Sequence, residues 1–271
     1  MGMMKGRNLV NLIGIPGWLF LIWLGGIYYS IFILVVMGLA IGEYYNLANI
    51  KGGKPLRWMG FCSTVFIADY FYNQPELTAY QLLGCIIIVV ILTLVWELFT
   101  GSENSSINIA YTLSGILFIP VLLGPAIFIR QFDENMGSQL TLAMVVSVWV
   151  CDSAAYIFGS KFGTKKIFPR VSPGKSWVGS VSGAFAAIAL FYAFHQQEWL
   201  GNVFDLKDAI VFGIITGVFG QLGDFTESLL KRDANVKDSG GLLLGHGGVL
   251  DRFDSLIFAT PLTYLYLQFI I

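Results

Sequence analysis

Charge is scarce in this chain. Lys and Arg number 16 and Asp and Glu 17 among 271 residues, about half the charged fraction of an ordinary soluble domain. With 56% hydrophobic residues and a mean hydropathy of +0.71, that excludes a water-soluble globule and points to an integral membrane protein. The net charge of −1 supplies no basic excess, and no nucleic-acid partner is expected. Cysteine is also rare: Cys62, Cys85 and Cys151 stand alone in apolar stretches, without a C-x-x-C pair or metal-ligand spacing. No disulfide framework is intended. Internal repeats, low-complexity tracts and Pro/Ser-rich linkers are missing too, so residues 1–271 read as one polytopic membrane domain. Residues 1–138 supply N-terminal spans; residues 139–271 supply the C-terminal spans and the loops that hold most of the charge.

Long hydrophobic runs are what the sequence has instead. Residues 9–42 contain no charged side chain; as one straight helix they would run roughly 51 Å, against a hydrocarbon core of roughly 30 Å. They must fold back once, at Gly25-Gly26. No small-residue cleavage site precedes a soluble domain, so this segment reads as retained. Further charge-poor stretches lie near 56–72, 78–99, 107–129, 139–160, 177–195, 208–230 and 253–271. The expectation is an all-α fold of about nine transmembrane helices, with the 107–129 span kinked or broken by Pro120 and Pro125.

Basic residues set the orientation. With nine spans and the N-terminus inside, Lys5, Arg7, Lys51, Lys54, Arg57, Lys161, Lys165, Lys166, Arg170, Lys175, Lys231, Arg232, Lys237 and Arg252 share one side, leaving Arg130 and Lys207 on the other. That asymmetry predicts a cytoplasmic N-terminus, a cytoplasmic Lys231–Ser255 segment and an outer C-terminus. The expected location is the cell inner (cytoplasmic) membrane, with a cavity and active site at the cytoplasmic face.

Acidic groups inside the spans are costly and therefore informative. Asp152 lies before the cytoplasmic end of its span and should face a polar cavity, a cation, or a partner such as Tyr156 or a loop lysine. In FGQLGDFTESLLKR, the 100° helical step places Gln221, Asp224, Glu227, Ser228 and Lys231 on one face. A lined cavity accounts for that stripe better than an amphipathic helix end does. Asp251 and Asp254 follow at i, i+3, and a loop that folds back would let Asp224 meet Asp251 at the membrane surface. Hard carboxylate oxygens without clustered thiols or imidazoles suit Mg²⁺, and Mg²⁺ beside Lys231, Arg232, Lys237 and Arg252 suits phosphate. Glycines 240, 241, 245, 247 and 248 let backbone N–H groups approach such oxygens.

The run S-L-L-K-R-x4-K-D-S-G followed by H-G-G-V-L-D-R-F-D, from Ser228 to Asp254, closely resembles the signature of the phosphatidate cytidylyltransferases. W-V-C-D-S-A-A-Y-I-F-G (149–159), S-P-G-K-S-W (172–177) and Gly223-Asp224 are similar to other marks of that family, in its order. Two positions depart from the pattern: Leu244 replaces a proline or glycine, and Val178 replaces an acidic residue. The resemblance implies transfer of CMP from CTP to phosphatidate, giving CDP-diacylglycerol and pyrophosphate, with Mg²⁺ as cofactor. The partners it implies are CTP, phosphatidate, the lipid bilayer and a second copy of the chain in a homodimer. It assigns Asp224 and Asp251 to the metal, with Glu227 and Asp254 as supporting or alternative ligands. Asp224, Asp251, Lys231 and His246 are the expected catalytic set. Ser172, Lys175, Ser176, Arg232, Lys237, Asp238, Arg252 and Asp152 are the expected substrate contacts; a turn-stabilising role for His246 is as consistent with the residues alone. His195 reads as structural.

Rival functions fit less well. A cation transporter would show an inverted repeat and midplane sites. The D-G-x2-A-R…G-x3-D-x3-D pattern of CDP-alcohol phosphotransferases is absent. A CTP-dependent polyprenol kinase or an archaeol-type cytidylyltransferase is the nearest alternative.

Overall fold

The computed structural model describes residues 14–74, 77–201, 203–241 and 247–270. His246 and Leu244 lie outside the described residues. The fold is helical: α1 Ile15–Leu24, α2 Gly26–Ile50, α3 Arg57–Tyr72, α4 Ala79–Thr100, α5 Ser105–Ile116, α6 Pro125–Gln131, α7 Met136–Phe162, α8 Trp177–Gln196, α9 Leu206–Ile214, α10 Gly220–Asp233 and α11 Leu250–Ile270. Among the described residues there is no strand, only an isolated antiparallel bridge between Lys166 and Ser176. Among the described residues, six helical segments are long and apolar enough to cross a membrane: Gly26–Ile50, Ala79–Thr100, Ser105–Gln131, Met136–Phe162, Trp177–Gln196 and Leu206–Asp233. This is an α-helical, multi-pass membrane protein.

The first apolar run breaks at Gly25-Gly26, as expected, because both glycines take positive φ, 66° and 51°. Trp18 of α1 then meets Phe32 of α2, ring centroids 6.3 Å apart. The run does not end at residue 42: α2 continues to Ile50 and includes Glu43. The 107–129 span is interrupted as Pro120 suggested. A π turn at Leu117–Val121 contains that proline, whose missing N–H is compatible with the widened ring. A second π turn, Ile215–Phe219, joins α9 to α10, and no proline or charge in the sequence marks it.

The chain forms two compact units, Met1–Phe128 with Asp233–Arg252, and Ile129–Arg232 with Phe253–Ile271. In the first, α2 is locked to α5 by two adjacent tyrosines. Tyr44 shares a 2.8 Å hydrogen bond with Ser114 Oγ, and Tyr45 OH donates to the Thr112 carbonyl at 3.0 Å. Gly60 of α3 and Gly115 of α5 leave room for the buried Tyr45 ring, which a Cβ at either position would strike.

In the second unit α8 packs on α7 and α9 through small residues. A Cβ at Gly179 would come within 2.6 Å of the Ala155 carbonyl, and one at Gly183 within 2.8 Å of the Cys151 carbonyl. On the other side, a Cβ at Gly217 would meet the Ala187 methyl at 2.8 Å. Gly213, where a Cβ would lie 2.6 Å from the Ile188 Cα, completes a second G-x3-G stripe with Gly217; both stripes let backbones approach closely, a principal source of helix association where lipid competes equally for apolar surface. The Ser147 and Thr216 hydroxyls hydrogen bond at 2.7 Å across the same packing.

Candidate functional site

Within the second unit, three elements bring charge together around Lys175. The segment between α7 and α8 folds into a hairpin-like loop: Ile167 N donates to the Lys175 carbonyl at 3.3 Å, and Trp177 N to the Lys165 carbonyl at 3.0 Å. Its turn is closed by Ser172 N on the Phe168 carbonyl at 2.9 Å. This loop is held against α10, because Arg232 Nε donates to the Val171 carbonyl at 3.2 Å and Phe168 packs edge-on to Phe225 at 5.0 Å. Lys175 thereby reaches Asp224, forming an ion pair through Nζ and Oδ2, with its ammonium 4.8 Å from the Phe225 ring centre.

Asp224 is not the only carboxylate there. Asp152 of α7 and Asp254 of α11 both lie within electrostatic reach of Lys175 and Asp224. Gly223 permits this: a Cβ at that position would overlap the Asp254 carbonyl oxygen. Three carboxyl groups thus lie around one lysine, which pairs directly with Asp224. Ser228 Oγ donates to Asp224 Oδ1 at 3.4 Å. The polar stripe predicted on α10 is the buried side of that helix, with Gln221, Glu227 and Ser228 all buried. Gln221 donates to the carbonyls of Ser180, at 3.0 Å, and Gly217, the latter inside the π turn.

The first unit holds a separate polar cluster, built on the glycine-rich part of the signature. Asp251 Oδ2 accepts from Gly248 N at 2.6 Å and from both Ser239 N and Ser239 Oγ at 3.1 Å. Gly247 carries the turn with φ +79°. Glu43 of α2 meets the same loop: its Oε1 accepts from Val249 N at 2.9 Å, and its Oε2 from Leu250 N at 2.9 Å and Ser239 Oγ at 2.8 Å.

Asp152, Lys175, Asp224 and Asp254 come together in one unit, whereas Asp251 belongs to the other. Glu227 and Lys231, expected as metal ligand and catalytic cation, form an ion pair with each other at 2.6 Å, and Glu227 is 0% exposed. Ser176, expected to face phosphate, caps α8 by accepting from Gly179 N at 3.3 Å. Val178 lies in the first turn of α8, which carries no acidic residue. Lys237, Asp238 and Arg252 are exposed. His246 falls outside the described residues.

Glu43 was missed by the sequence reading. Its signal was present all the same: a lone carboxylate inside an otherwise apolar span. Among the described residues no three His, Cys, Asp or Glu side chains are grouped to hold a metal ion by themselves. Mg²⁺ does not need such a cage, since it binds through one or two carboxylates and completes its shell with water and phosphate oxygens. The grouping of Asp152, Asp224 and Asp254 around Lys175 offers oxygen donors for that mode.

Similarity to known proteins runs along nearly the whole chain. The profile of the cytidylyltransferase family matches residues 5–270, extending the likeness well upstream of residue 149. The phosphatidate cytidylyltransferase of Bacillus subtilis (strain 168) is 30% identical over 271 residues, covering 97% of each chain. That of Staphylococcus aureus (strain COL) is 30% identical over 267 residues, 96% of this chain and 97% of the relative. The Haemophilus influenzae enzyme of the same name is 38% identical over 170 residues, 61% of this chain and 59% of its own. With a family match from residue 5 to residue 270, and two of these relatives aligned over nearly their full length, the chain belongs to the cytidylyltransferase family.

Proposed function

We propose that this protein transfers CMP from CTP to phosphatidate, forming CDP-diacylglycerol and pyrophosphate for phospholipid synthesis. The observation that carries the proposal is end-to-end similarity to enzymes named phosphatidate cytidylyltransferase, joined to a cluster of Asp152, Asp224 and Asp254 around Lys175 on apolar helices. A phosphate oxygen of the lipid attacks the α-phosphorus of CTP, the bond to the β-phosphate oxygen breaks, and pyrophosphate leaves. The enzyme must bring two polyanions together, so positioning and charge neutralisation supply most of the rate.

Asp224 and Asp254 are the residues we assign to a required Mg²⁺, with Asp152 beside them. When bound, the ion neutralises phosphate charge and orients the reacting groups. Lys175 holds Asp224 in place and can exchange that contact for a substrate phosphate. Lys237 and Arg252, exposed and flanking the glycine loop, are assigned to the triphosphate or the lipid phosphate.

The finer architecture belongs to the same proposal. Nine spans with the N-terminus inside are supported by the distribution of Lys and Arg, which puts the substrate loops in the cytoplasm, where CTP is. That argument favours the inner membrane; a homodimer is carried over from the family resemblance alone. The test is purified protein with labelled CTP, Mg²⁺ and phosphatidate, scored for a lipid-linked CMP product. Formation of that product supports the assignment, and its absence with phosphatidate but appearance with another phospholipid or polyprenol acceptor would redirect it.

A further inference from the structure

Glu43 has no place in the mechanism so far, yet it is among the most thoroughly engaged side chains in its unit. It is buried in α2, and a carboxylate in an apolar span is expensive without compensation. Among the described residues its partners are uncharged: Val249 N, Leu250 N and Ser239 Oγ, at 2.8–2.9 Å. Leu250 N is the first N–H group of α11 and Val249 N immediately precedes it, at a helix end whose positive dipole favours an anion. The glycines of the signature make way for it. A Cβ at Gly240 would lie 2.5 Å from Glu43 Oε1, and one at Gly248 would overlap Glu43 Oε2 and Ser239 Oγ. Close approach of Glu43 thus accounts for two glycines that the sequence reading gave to phosphate. Ser239 is shared: its hydroxyl lies 2.8 Å from Glu43 Oε2 and 3.1 Å from Asp251 Oδ2. Tyr44 and Tyr45, next in sequence, fix α2 to α5, so Glu43 presents a rigid anchor.

We infer that Glu43 is a positioning residue for cytidylyl transfer, clasping Ser239 and the start of α11 so that Asp251 and its flanking charged groups are held ready for the nucleotide. The inference rests on the reading of Ser228–Asp254 as substrate-binding. A carboxylate is required because both oxygens accept from donors at once. An amide of the same shape would turn one of them into a donor facing N–H or O–H groups.

Glu43→Gln separates positioning from bulk. In the purified full-length protein, amide exchange at Ser239, Val249 and Leu250 should accelerate by about tenfold or more. Turnover should fall in parallel, with kcat down about tenfold to a hundredfold and KM for CTP changing by less than about threefold. Gly248→Ala, which leaves Glu43 in place but fills its space, should move the same readouts in the same direction, and it serves if Glu43→Gln does not fold. Unchanged exchange, or opened exchange with wild-type kcat, overturns the inference; so does a loss of kcat without any change in exchange. If instead Asp251→Asn and Lys237→Ala both keep wild-type turnover, the reading of the loop as substrate-binding fails, whatever the exchange data show for Glu43.

Discussion

Asp224 and Asp251 looked like equals in the sequence, two acidic residues on either side of a glycine-rich loop. The structure gives them different neighbours. Asp224 meets Lys175 and shares its surroundings with Asp152 and Asp254, whereas Asp251 organises its own loop through Ser239 and Gly248. Asp224→Asn should therefore remove several kcal/mol of transition-state stabilisation, and kcat should drop by at least about a hundredfold with the fold retained in detergent. Steady-state kinetics beside a thermal melt checks this; near-normal turnover with Mg²⁺ would remove Asp224 from the site. The α10 stripe was legible because helical periodicity alone puts Gln221, Asp224, Glu227 and Ser228 on one face. The surroundings of Asp251 were not, because Glu43, which meets the same loop through Ser239, lies about two hundred positions upstream, and no local pattern links them.

At the scale of elements, helices were legible where apolar runs were long and punctuation was strong. Gly25-Gly26 marked a turn and Pro120 marked an irregular stretch, and both are where the backbone departs from α geometry. The π turn at Ile215–Phe219 left no such trace, since neither its length nor its composition breaks the apolar period. Helix packing was equally silent in a reading based on charge and hydropathy, because it rests on what small residues allow. Gly183 is a direct probe: a side chain there would run into the Cys151 carbonyl. Gly183→Leu should destabilise the second unit by about 1–3 kcal/mol or more, and the apparent Tm in detergent should fall. An unchanged melt would mean that α7 and α8 do not rely on that close approach.

For the whole molecule, hydropathy established the membrane class and positive charge proposes its orientation. Single cysteines placed in the 161–175 and 233–241 loops of a cysteine-free variant should be modified by a membrane-impermeant reagent only from the cytoplasmic side, and one at the C-terminus only from outside. Labelling of both loops from outside would reverse the proposed topology and deny the site its cytosolic nucleotide.

The central claim is that a lipid phosphate attacks the α-phosphorus of CTP, and the fate of two labels tests it most directly. With phosphatidate, Mg²⁺ and the purified protein, label at the α-phosphate should partition into the lipid phase, while label at the γ-phosphate stays in water as pyrophosphate. A CTP-dependent lipid kinase would do the reverse, and γ label recovered in the lipid, with CDP released, would contradict the account.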